Sequence, residues 1–143
     1  MSVSLKRLPF GLALAAAVAA FAVPSNAARA DDFENAVRPG MYEGQWHSDK
    51  VRFIIEDVAG DGTFSGVVHF DKTSRFPDYL FVFTGKVGRH GSITINRDPN
   101  NDAQTAEAGE PRREKGMLIW EGETTGNDLD KPYPFELRIP LRR

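Results

Sequence analysis

No cysteine occurs among the 143 residues, which excludes a disulfide framework and any thiolate metal or redox site, so the core must hold the fold unaided. Excess charge of one sign is missing too. Eighteen Lys and Arg stand against 20 Asp and Glu, a formal net charge of -2, which is not the footprint of a protein that binds DNA, RNA or an anionic membrane surface. No apolar run reaches the roughly 18 to 20 residues that a membrane-spanning helix needs, and after Gly40 there is no amphipathic helical period. What is present, 41% hydrophobic and 27% charged residues, is the composition of a globular domain.

An uncharged stretch of Leu, Ala, Val, Phe and one Gly, residues 10–23, follows Lys6 and Arg7 and is broken by Pro24. Two small-residue sites come next, Ser25-Asn26-Ala27 and Ala28-Arg29-Ala30. This order of basic, apolar and small-residue regions is that of a secretory signal peptide. Cleavage is expected after Ala30, with Ala27 as the alternative. An uncleaved anchoring helix would call for polar periodicity that the stretch does not show. Residues 1–30 are therefore read as a cleaved signal and residues 31–143 as a single domain, periplasmic or secreted. The mature chain keeps 15 basic and 20 acidic residues and is mildly acidic.

Residues 31–37 carry acidic residues ahead of Pro39-Gly40 and suit a short helical lead-in. Beyond them, period-two alternation predicts seven strands, at 41–47, 51–57, 63–70, 80–87, 92–97, 117–124 and 135–142. Ala59-Gly60-Asp61-Gly62 and Gly88-Arg89-His90-Gly91 are hairpin signals, because Gly supplies the positive φ of tight turns. Pro140 cannot donate to a ladder and belongs near a strand end or edge. Two stretches are too long for tight turns. Residues 71–79 read as a longer connection, and residues 98–115 as a polar loop, functional or mobile.

Sequential strands joined by hairpins predict an all-β, antiparallel up-and-down meander that closes into a small seven- or eight-stranded barrel. A sandwich is the competing arrangement. Gly44, Gly66, Gly85 and Gly122, all inside predicted strands, favour the barrel, since sharp bending or close approach is the usual reason for glycine there.

Gly44-Gln45-Trp46 resembles the Gly-x-Trp signature of the lipocalin and wider calycin group, and residues 42–46 with the later Gly62-Thr63-Phe64-Ser65-Gly66 look like the opening hairpin of avidin-type barrels. The resemblance covers about the first third of the mature chain. It implies a β-barrel in which Trp46 closes one end, covered by an Arg near the last strand, Arg138 or Arg142. It also implies a ligand-binding role without naming the ligand, because the polar biotin-contacting set of avidin has no counterpart in the later strands.

Chemical constellations are sparse. His47 and His69 are expected on outward faces and His90 in a turn, with no spacing that fixes a metal site. Asp98-Pro99-Asn100-Asn101-Asp102 opens like a calcium loop, but Ala103 and Gly109 occupy positions that need Gly and Glu. Ser65 lacks the Gly-x-Ser-x-Gly setting of a hydrolase nucleophile. Glu121 and Glu123 share a strand face, as solvated pairs commonly do. No cofactor is implied. Aromatics are the richer signal: Phe70, Phe76, Tyr79, Phe81 and Phe83 crowd together, with Phe81 and Phe83 on one face, and Phe76 and Tyr79 beside Pro77 suit an exposed rim. The expected function is a non-enzymatic exported barrel that binds a small apolar or amphipathic ligand through Trp46, Trp120, Phe76 and Tyr79. The alternative is a protein-recognition or inhibitor module that meets another exported protein through residues 71–79 and 98–115; an enzyme ranks third.

Overall fold

Alternating apolar and polar side chains give every strand one face to bury, and a single sheet with one buried face can cover it by wrapping around it. The computed structural model describes residues 36–97 and 104–141, and these form such a sheet. Its strands are β1 (Gly40–Trp46), β2 (Asp49–Val58), β3 (Thr63–Phe70), β4 (Leu80–Val87), β5 (Ile93–Arg97), β6 (Gln104–Ala108), β7 (Arg112–Glu114), β8 (Met117–Gly126) and β9 (Tyr133–Pro140). They run in the order β6-β5-β4-β3-β2-β1-β9-β8-β7, and β6 also pairs with β8. Ala108 lies opposite Gly122 and Arg112 opposite Ile119, so β6 and β7 follow one another along β8 and share one strand position. The meander thus closes as an antiparallel barrel of eight positions. Among the described residues no helix is long and apolar enough to cross a membrane.

The polar stretch 98–115 needs correction: it contains β6 and β7. The inward residues of β6 are Gln104, Ala106 and Ala108, too small or polar to contrast with their outward neighbours, and β7 is exposed throughout. Backbone pairing holds both, β6 between β5 and β8 and β7 against β8, with no large inward side chain to announce either. Residues 98–103, with the calcium-like run, lie outside the described residues. So does most of the expected helical lead-in; its described part, Ala36 and Val37, forms a turn and bend buried in the core.

Both predicted hairpins form. Gly62 turns at φ 93° between β2 and β3, and a short 3₁₀ turn at Arg89–Gly91 joins β4 to β5. Pro140 is the last residue of β9. Inside the barrel, the Phe53 ring meets those of Phe83 and Phe135 edge to face at 6.1 and 5.9 Å, and Phe64 meets Phe83 at 6.0 Å. These rings occupy the space that strand glycines leave. A Cβ on Gly44 would stand 2.6 Å from the Phe53 ring, and one on Gly85 2.4 Å from that of Phe64.

The two ends of the barrel differ. Where β1 begins, Ala36 and Val37 join the core, the Tyr42 hydroxyl donates to the Arg38 carbonyl (2.8 Å), and the Trp120 indole N–H donates to the Gly91 carbonyl (2.7 Å). Side chains and turns fill that end. The other end, where β1 stops, carries the longer connections.

Candidate functional site

Trp46, the last residue of β1, points inward and is 1% exposed. Its ring stands edge-on to Phe81 (5.0 Å) and Phe135 (6.1 Å). A buried indole N–H needs an acceptor, and the Gln104 Oε1 provides one at 3.0 Å. The amide nitrogen of Gln104 in turn donates to Asp128 Oδ2 at 2.9 Å. This relay explains the polar inward residue that opens β6.

Above Trp46, the connection between β3 and β4 is held by hydrogen bonds that short polar side chains make to nearby backbone. Asp71 accepts from the Thr73 backbone N–H and hydroxyl, and Ser74 donates its N–H to the Asp71 carbonyl. Arg75 then ties the loop to the barrel. Its backbone N–H (3.1 Å), Nε (3.3 Å) and Nη2 (2.9 Å) all donate to the carboxylate of Asp49 at the start of β2. Burial pushes the Asp49 carboxyl up, but the hydrogen bonds and charge of Arg75 outweigh it and hold Asp49 below the usual carboxylate range.

The loop sets its aromatic residues on Phe70, the inward end of β3. Phe76 and Tyr79 lie edge to face with it at 6.3 and 5.5 Å, yet remain 56% and 43% exposed. Arg97, at the end of β5, stacks its guanidinium 4.8 Å from the Phe81 ring centroid and donates to the Tyr79 hydroxyl. Leu129 and Tyr133, from the β8–β9 side, complete the wall.

His47 occupies the two-residue turn between β1 and β2 at φ 59°, a backbone region that non-glycine residues seldom adopt. Its ring is half-buried against Trp46 (6.2 Å) and Tyr133 (4.9 Å). Burial, then the charge of Arg75, hold its pKa below the ordinary imidazole value despite Asp49 and Asp128 nearby, so the ring is neutral near pH 7. Its buried Nε2 finds no hydrogen-bond partner among the described residues. The expectation of a solvated surface histidine is thus corrected.

These groups surround a recess of ≈ 450 Å³ in the barrel mouth. A depression of ≈ 460 Å³ on the outer wall around Gly85 is as large but carries one aromatic residue, Phe64. Volume therefore does not distinguish the mouth; the meeting of aromatic walls with a few placed polar groups does. Trp46, Phe76 and Tyr79, singled out in the sequence, come together there. Trp120 does not line the recess and sits toward the filled end. Phe70, His47, Asp49, Arg75, Arg97, Gln104 and Asp128 had not been assigned to a site. Arg75, adjoining Phe76, and Arg97, ending a predicted strand, carried the available signals.

The remaining candidates do not converge. His69 shares a hydrogen bond with Arg52 on the outer face, and His90 lies in the β4–β5 turn. Glu121 pairs with Arg112, while Glu123 lies opposite Glu107. Ser65 faces outward opposite Thr84. Arg138, which the resemblance would set over Trp46, pairs with Glu136 on the outer face, and Arg142 is outside the described residues. Among the described residues no group of three or more His, Asp or Glu is placed to hold a metal ion. No protein-family model, curated protein or solved structure matches the chain.

Proposed function

We propose that the protein is a non-enzymatic binding barrel, exported through residues 1–30 as a cleaved signal, that takes a small apolar or amphipathic molecule into its mouth. One observation carries this reading. At the end opposite the one filled by Trp120, Ala36 and Val37, a recess of ≈ 450 Å³ combines partly exposed Phe76 and Tyr79 with the buried Phe70 and Trp46. Apolar walls with sparse polar groups suit a ligand of mixed character. Trp120 contributes to the closed end instead of the contact surface.

The two tryptophans make this testable, because Trp46 lines the recess and Trp120 does not. Titration with N-phenyl-1-naphthylamine, a neutral aromatic amphiphile, should quench or shift Trp46 emission. The response should persist in Trp120→Phe, vanish in Trp46→Phe, and weaken by about tenfold in affinity in Phe76→Ala. A response carried by Trp120, or probe binding indifferent to Phe76, would count against the mouth.

Recognition of another exported protein is favoured by a separate feature: Leu80 and Val82 on the outer face of β4 are 55% and 49% exposed and adjoin Tyr79. In that case Leu80→Ser and Val82→Ser would abolish capture of a partner and leave probe binding unchanged.

A further inference from the structure

The mouth is not neutral in its hydrogen-bonding capacity, and its charged groups are not equally occupied. Arg75 is engaged with Asp49 through its side chain and its backbone N–H, so that the two charges largely cancel. Among the described residues Asp128 accepts from the uncharged amide of Gln104 and from no cation, and it lies exposed on the loop after β8. Arg97 differs from both. Its guanidinium lies 4.8 and 5.6 Å from the ring centroids of Phe81 and Tyr79, its Nη2 donates to the Tyr79 hydroxyl, and no carboxylate among the described residues pairs with it.

Stacking occupies the face of a guanidinium and leaves its in-plane N–H fork for an acceptor. That fork matches the two oxygens of a carboxylate. Arg97 is half-buried and fixed by three contacts, so little side-chain freedom remains to be lost when an anion arrives. Tyr79, which it touches, and Phe76 on the same loop line the same recess as Arg97 and are partly exposed. An apolar platform and a preorganised fork therefore stand side by side. We propose that the recess selects an aromatic carboxylate, with the ring on Phe76 and Tyr79 and the carboxylate taken by Arg97.

This rests on the mouth being the binding site, and the test separates the two. Isothermal titration with 2-naphthoate, 2-naphthamide and 2-naphthylmethylammonium holds the ring constant while changing the charge. Naphthoate should bind at least about tenfold more tightly than the amide, in keeping with a hydrogen bond to a charged group. The cation should bind most weakly. Arg97→Gln should bring naphthoate down to the affinity of the amide while the affinity for the amide itself stays within about twofold. Arg97→Lys should retain part of the preference, because it keeps the charge and loses the planar fork.

Equal binding of naphthoate and naphthamide would overturn the carboxylate preference and leave the mouth as an apolar site. Tighter binding of the ammonium would overturn it in favour of Asp128 as the selecting group. Failure of all three to bind would remove both the preference and the mouth reading. The wild-type comparison needs no variant, so it stands even if Arg97→Gln does not fold.

Discussion

His47 shows at the scale of one residue how site and stability meet. Its pKa in the fold lies below that of the unfolded chain, about 6.5, because burial and Arg75 disfavour the imidazolium. The unfolded state therefore takes up the proton first as pH falls. The stability tied to a neutral His47 is complete above about pH 6.5 and is lost on acidification below it. Melting temperatures followed from about pH 8 to pH 5 should show that decline, and His47→Asn, which tolerates the positive φ, should flatten it. Trp120 obeys a different rule: Trp120→Phe keeps an aromatic side chain but loses part of the buried indole and leaves the Gly91 carbonyl without its donor, a loss of at least about 1–3 kcal/mol measurable by urea denaturation. Gly85→Ala should be destabilising by about 1–3 kcal/mol, since its methyl would fall within the Phe64 ring's own space.

The connection between β3 and β4 has its own internal hydrogen bonds, and one buried carboxylate, Asp49, fastens its middle to the barrel. Asp49→Ala removes every bond that Arg75 makes to the barrel. Stability should fall by about 1–2 kcal/mol, and tryptic cleavage at Arg75 should become faster under native conditions. Because Asp49 titrates below the usual carboxylate range in the fold, its contribution is full above about pH 3.9 and is lost only as pH falls below that value. This loop was legible in the sequence as a long connection with exposed aromatics, while its anchor was not. Asp49 and Arg75 are far apart along the chain, and nothing in either residue's neighbourhood announces the pairing. Strands with large inward residues, such as Phe64, Val68 and Phe70 in β3, were equally plain from alternation. β6 was not, because alanine and glutamine at its inward positions erase the contrast on which periodicity depends. With β6 hidden, Gln104 and its relay between Trp46 and Asp128 were hidden too.

For the molecule as a whole, polarity is arranged by end: aromatic and apolar filling where β1 begins, and aromatic walls with ionic groups where it stops. The outer wall adds a second apolar feature, since Met41, Ile54, Val67 and Val82 are successive register partners across β1 to β4. Closure of the ring has a further consequence. Every neighbouring pair of strand positions is also adjacent along the chain except β1 and β9, which meet through three residue pairs, Gly44 with Leu137, Gln45 with Glu136 and Trp46 with Phe135. Hairpins can form from nearby residues, whereas this seam must bring together the two ends of the domain and bear the loop-closure entropy of nearly all of it. The seam is thus expected to zip last. Leu137→Ala should then speed unfolding while scarcely slowing refolding, a low φ-value in stopped-flow kinetics, whereas Val68→Ala in the central hairpin should slow refolding. Since Trp46 lies in the seam, the residue beneath the mouth recess is then expected to belong to the last contact the barrel makes and the first it gives up.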